Sequence, residues 1–98
     1  MERKKRLQMR LTDLEFDLLD ACYFMTSYNE IFAELNCSKE EFRSCLLGLL
    51  KNELLQQLIY REDIQDFDKL DQFDESLLEE AKYVITKKGL QQHNGKEI

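Results

Sequence analysis

The run Ser27-Tyr28-Asn29-Glu30-Ile31-Phe32-Ala33-Glu34-Leu35-Asn36-Cys37-Ser38-Lys39-Glu40-Glu41-Phe42 decides the fold of this chain. Twice within it a serine is followed three residues later by glutamate, Ser27…Glu30 and Ser38…Glu41. Such a capping box satisfies two free amides at a helix start: the hydroxyl accepts one, and the glutamate reaches back to the other. Thr12-Asp13-Leu14-Glu15 supplies a third box upstream. Each box opens an apolar stripe at helical spacing, so helices are predicted over about 13–25, 28–35 and 39–53. Helix 3 turns Phe42, Cys45, Leu46, Leu49 and Leu50 inward, and helix 2 turns in Tyr28, Ile31, Phe32 and Leu35. Helix 1 carries two stripes, Leu14, Leu18, Ala21, Cys22 and Met25, then Phe16, Leu19 and Tyr23, which implies burial on more than one side. Only Asn36 and Cys37 separate helix 2 from the cap of helix 3.

Outside the helices the period changes. Leu7, Met9 and Leu11 alternate with Gln8 and Arg10, as in a short half-buried strand. Leu54 to Arg61, rich in Leu, Ile and Tyr, and Lys82-Tyr83-Val84-Ile85-Thr86, where β-branched residues concentrate, are strand candidates. The acidic stretch 62–80 between them is longer than ordinary connections and is expected to be a solvated insertion, with an amphipathic turn or two around 74–81. A last helical turn begins at Lys87-Lys88-Gly89-Leu90, and the tail from His93 is expected to fray.

Helix, helix, tight turn, helix, strand, loop, strand resembles a winged helix-turn-helix domain of the small bacterial regulator type. Tyr28–Leu35 followed by Ser38–Leu55 looks like helix 2, the turn and helix 3. Tyr83-Val84-Ile85-Thr86-Lys87-Lys88-Gly89-Leu90 is similar to the return strand of a wing, with its Thr, two polar residues and Gly. The resemblance covers about residues 12–92. It implies an α+β, mostly α, winged helix: a three-helix core over 12–53 and a small antiparallel β wing over 54–86, with the long acidic loop 62–80 inside it. Residues 1–11 are then a basic arm or short strand, and 87–98 a C-terminal tail. Where that family often has Gly after helix 3, this chain has Glu53, so Asn52 is expected to take the left-handed conformation.

Composition bounds the function. Ninety-eight residues fit one domain. No apolar run approaches the roughly 20 residues that span a bilayer, and the N-terminus lacks the apolar core of a secretion signal. A cytoplasmic protein without a membrane partner is expected. Cys22, Cys37 and Cys45 are odd in number and widely spaced, unlike a disulfide framework. A zinc site from these three and His93 lacks the close ligand pairs of structural zinc sites. An EF-hand starting at Asp66 fails at Leu70 and Asp71. With one histidine, no Gly-rich phosphate loop and no paired nucleophile and base, neither catalytic residue, cofactor, metal nor small-molecule ligand is indicated, and the chain is expected not to be an enzyme.

The net charge of −6 is unevenly placed: residues 1–10 carry +4, 11–60 carry −6, 61–80 carry −7 and 81–98 carry +3. Two partners follow. The resemblance implies a regulatory module of transcription-regulator type, with DNA contact by Arg43, Ser44 and Lys51 on helix 3, by the arm Arg3, Lys4, Lys5, Arg6 and Arg10, and by Lys87 and Lys88, with Lys82, at the wing root. The same residues also read as a solvated face and a solubilising tail. The alternative is a protein-interaction adaptor that does not bind DNA, in which Leu47, Phe67, Phe73, Leu77 and Leu78 meet a partner. A homodimer through helix 1 or the termini is expected to cover the second stripe of helix 1.

Overall fold

The computed structural model describes residues 11–94. All three capping boxes close in it. The amides of Thr12, Ser27 and Ser38 donate to Glu15, Glu30 and Glu41 at 2.8, 3.2 and 3.0 Å, and the reciprocal bonds measure 3.1, 3.3 and 3.0 Å. They start α1 (Asp13–Ala21), α2 (Tyr28–Glu34) and α3 (Lys39–Lys51). A fourth helix, α4, spans Lys87–Asn94. The strands are β1 (Thr26–Ser27), β2 (Leu55–Arg61), β3 (Asp66–Lys69) and β4 (Lys82–Ile85), arranged β1-β4-β2-β3 with every pair antiparallel. The chain is thus a small α+β domain with four α-helices and a four-stranded antiparallel sheet among the described residues. None of those helices is long and apolar enough to cross a membrane.

The core lies between the helices and one face of the sheet. Leu18, Ile31, Phe42, Leu46 and Leu49 are buried as expected, and Phe32 is partly buried against them. Phe42 packs its ring against Tyr28 and Phe32 at centroid distances of 4.8 and 5.2 Å. From the sheet, Leu55 and Gln57 of β2 face inward opposite Ile85 and Tyr83 of β4.

Several expectations are corrected. Helix 1 ends at Ala21, not at 25, because the chain must turn there into β1. Thr26 Oγ1 donates to the carbonyls of Ala21 and Phe24, and Ile85 N–H takes the carbonyl of Cys22. The stretch 62–80 is not one solvated insertion. Residues 62–65 form a tight turn, Asp66–Lys69 returns as β3 alongside Leu58–Arg61, and Glu75–Leu77 makes one turn of 3-10 helix. Carboxylates mask the strand pattern of Asp66-Phe67-Asp68-Lys69, which only its pairing with β2 makes regular. Of the strand expected over 7–11, residues 7–10 lie outside the described residues and Leu11 belongs to no strand.

The end of the chain differs most. Instead of fraying, His93 is only 8% exposed. Its ring stacks on Phe16 at 4.1 Å and meets Tyr23 edge-on at 5.5 Å. The Nε2 atom is 3.4 Å from an Asp20 carboxylate oxygen but makes no hydrogen bond. So α4 packs on the second stripe of α1 through His93. Tyr23, Met25 and above all Phe24, 81% exposed, remain open at that end.

What seats α4 is the turn after α3. That helix closes with the amide of Leu54 donating to Leu49 and that of Glu53 to Leu50, at 2.9 and 3.0 Å, the Schellman pattern. The left-handed residue is Glu53, at φ 63°, while Asn52 stays at −89°. Position in the motif, not residue preference, sets which residue turns over. Thr86 then grips the turn: its hydroxyl donates to the Glu53 carbonyl at 2.7 Å and its amide to Leu54 at 3.1 Å. The same hydroxyl accepts the amide of Gly89 at 2.9 Å, capping α4. A Cβ on Gly89 would lie 2.2 Å from the Leu54 carbonyl oxygen, so only glycine lets α4 approach.

Two outcomes follow. Phe42→Ala is expected to cost about 3–5 kcal/mol in urea unfolding, the usual loss for a buried phenylalanine. The two helical glycines are expected to respond in opposite directions to alanine. Gly48, with nothing within 4 Å of an added Cβ, should gain up to about 1 kcal/mol from helix propensity. Gly89→Ala should lower the unfolding midpoint, and an unchanged midpoint would contradict the close packing of α4.

Candidate interaction surface

The residues expected to contact a partner are separated by the fold. Arg3, Lys4, Lys5, Arg6 and Arg10 lie outside the described residues. On α3, Arg43 is not free: its Nη2 pairs with Glu75 Oε2 at 2.8 Å, from the acidic segment. Ser44 borders a shallow hollow of about 440 Å³ that also contains Glu15, Glu40 and Glu41. Lys51 is brought together with Lys87 and Lys88 around a depression of about 620 Å³, floored in part by Leu50, Leu55 and Phe73 and shared with Glu53 and Asp71.

The apolar candidates take different places in the fold. Leu78 is 1% exposed and belongs to the core; Leu47 and Phe73 are half-buried against it, and Leu77 is half-buried. The acidic segment that carries Phe73, Leu77 and Leu78 folds back onto the domain. Phe67 is half-buried on the sheet, its ring 5.4 Å from Tyr60 and 4.7 Å from the Lys82 ammonium.

A buried amide holds the acidic segment in place. Gln57, 1% exposed, accepts the Asp74 amide at 2.6 Å and donates to the Asp74 carbonyl at 3.1 Å and to Tyr83 Oη at 3.2 Å. Tyr83 Oη in turn donates to the Leu78 carbonyl at 2.6 Å. Burial pushes the Tyr83 phenol up to about 12, so it stays a donor at any ordinary pH. Just beyond, Asp74 caps the 3-10 turn by accepting the Ser76 hydroxyl and amide at 2.6 and 3.0 Å, bonds that lower its pKa. At the other end, Arg61 bonds Asp63 and Asp68, the nearest contact being 2.5 Å to Asp63, and holds the Asp63 carboxyl below its ordinary range. Nine carboxylates in residues 61–80 are thereby displayed on an ordered frame.

Gln57 and Tyr83 were not among the expected site residues. Their signal was the inward phase of two strands: Leu55, Gln57 and Ile59 alternate, as do Tyr83 and Ile85, which puts a polar amide at a core position. Nothing local names its partner seventeen residues away.

The cysteines are poor nucleophiles. Burial pushes Cys22 and Cys45 up to about 12, with Glu34 and Glu15 respectively adding to it, and Cys37 is also raised. Among the described residues no group of three or more His, Cys, Asp or Glu is placed to hold a metal ion. Compared with known protein families, curated proteins and solved structures, the chain has no match.

Gln57→Ala is expected to orphan the polar groups of Asp74, at a cost of about 1–3 kcal/mol. Cleavage by a Glu-specific protease should move to Glu75, Glu79 and Glu80, well before global unfolding. Protection equal to wild type would show that the amide does not hold the segment.

Proposed function

We propose that this chain is a non-enzymatic winged-helix module that works as a protein-interaction adaptor, presenting its ordered acidic segment to a basic partner surface. The winged-helix assignment is supported by element order and by β1, between the first two helices, pairing with the return strand β4. In such a domain α3 takes the position of the groove-reading helix. The observation that carries the adaptor reading is the Arg43–Glu75 pair. It neutralises the central cation of α3 and draws the acidic segment against the helix, while Glu40 and Glu41 occupy its first turn. Phosphate binding grows with the number of charges neutralised, and carboxylates beside a phosphate oppose it.

The second reading is DNA contact without groove reading. It is favoured by the convergence of Lys51, Lys87 and Lys88 on one depression, to which the basic arm Arg3–Arg6 and Arg10 would add.

Retention on duplex DNA at about 50 and 200 mM salt separates the two. The adaptor is expected to show no retention at either salt, and a partner captured by cross-linking in cells should be lost in Glu79→Lys/Glu80→Lys but kept in Lys51→Glu. Salt-sensitive DNA binding abolished by Lys51→Glu with Lys87→Glu would establish the second reading instead.

A further inference from the structure

The sheet has a second face, and it is chemically unlike the rest of the molecule. Strand alternation places Gln56, Leu58 and Tyr60 of β2, Phe67 and Lys69 of β3, and Lys82 and Val84 of β4 on the side away from the core. The opposite phase of the hairpin carries Arg61, Asp66 and Asp68. A chain of net charge −6 therefore has one sheet face whose strands bear two lysines and no carboxylate.

The two aromatic rings on that face are in edge-to-face contact, and Tyr60 is 51% exposed. Lys82 stretches from β4 across β2 to hold its ammonium over the Phe67 ring at 4.7 Å. Such a contact desolvates the cation on one side only and leaves the other side open to an anion. Among the described residues neither Lys69 nor Lys82 has an ion-pair partner, whereas Arg43 and Arg61 are paired. Glu30, whose carboxyl also feels the Lys82 charge, is held by the Ser27 cap.

The sheet edge beside this face is closed to strand addition. Leu70 N–H donates to Gln57 at 3.2 Å, so by alternation the amides of Phe67 and Lys69 point outward from β3. Each is taken by the preceding carboxylate, Asp66 and Asp68, at 2.8 and 2.9 Å. An exposed edge blocked by acidic side chains resists pairing with another strand. A partner must therefore meet the face.

We infer that the outer sheet face, centred on Tyr60, Phe67, Lys69 and Lys82, docks an acidic peptide segment of another protein, which seats an aromatic or aliphatic side chain on the two rings and carboxylates on the two lysines. Charge complementarity selects this occupant. A second copy brings the same net negative charge, and a single-stranded nucleic acid finds only two cations here. The surface is distinct from the acidic segment of the adaptor reading and stands without it.

The test is selection of peptides from a displayed random library on the full chain, followed by NMR mapping of the winner. The expected consensus has acidic residues flanking one aromatic or aliphatic residue, with amide shifts concentrated at Leu58, Tyr60, Phe67, Lys69, Lys82 and Val84. Tyr60→Ala and Lys82→Glu should each weaken the selected peptide about tenfold, with the circular dichroism spectrum unchanged, and Glu79→Lys/Glu80→Lys should not. A basic consensus sensitive to Glu79 and Glu80 but not to Lys82 would overturn the inference while supporting the acidic-segment reading. No enrichment, shifts elsewhere, or Tyr60-dependent binding of oligo-dT would each overturn it as well.

Discussion

The structure depends on the turn that ends α3. Its two Schellman bonds reverse the chain at Glu53 and launch β2 in the direction that lets Leu55, Gln57 and Ile59 face the core. Thr86 is bonded to the same turn through both its hydroxyl and its amide, which fixes where β4 ends and where α4 begins. Because Gly89 has no side chain, α4 can lie against Leu54 and carry His93 to the apolar flank of α1. One turn thus ties α3, both central strands and the last helix together. A left-handed glutamate is an unfavourable way to make it, at about 1–2 kcal/mol relative to a right-handed residue, and the surrounding bonds hold it there.

A second constraint shapes the surface. Gln57 and Tyr83 are polar groups in an apolar core, and such groups are costly unless every bond is made. Their bonds are made to backbone atoms of the acidic segment at Asp74 and Leu78. The core therefore needs the segment in place, and the segment cannot swing freely on its strands. Leu78 and Phe73, packed inward, add an apolar reason for the same placement.

The consequence is a molecule divided by sign. Acidic groups gather on the segment that crosses α3, while the outer sheet face keeps Lys69 and Lys82 apart from them. Lys51, Lys87 and Lys88 meet around one depression at the junction of α3 and α4. A binding module with separate surfaces of opposite charge can discriminate partners by repulsion as well as attraction.

The sequence by itself determined the helices and their starts, because a capping box and an apolar stripe are local signals spanning a few residues. It also determined strands β2 and β4, the inward set around Phe42, and the Thr86–Gly89 pattern. Tertiary structure alone decided what those pieces touch. The strand Asp66–Lys69 exists because β2 offers it a partner; its own carboxylates argue against it. His93 is buried because α4 lands on Phe16, 77 positions earlier in the chain, and no local pattern encodes that contact. Arg43 looked like a free cation on a helix face until Glu75, brought from across the sheet, neutralised it. Local chemistry sets which elements form, but pairing across long sequence separations sets which charges remain available, and those charges define the candidate surfaces.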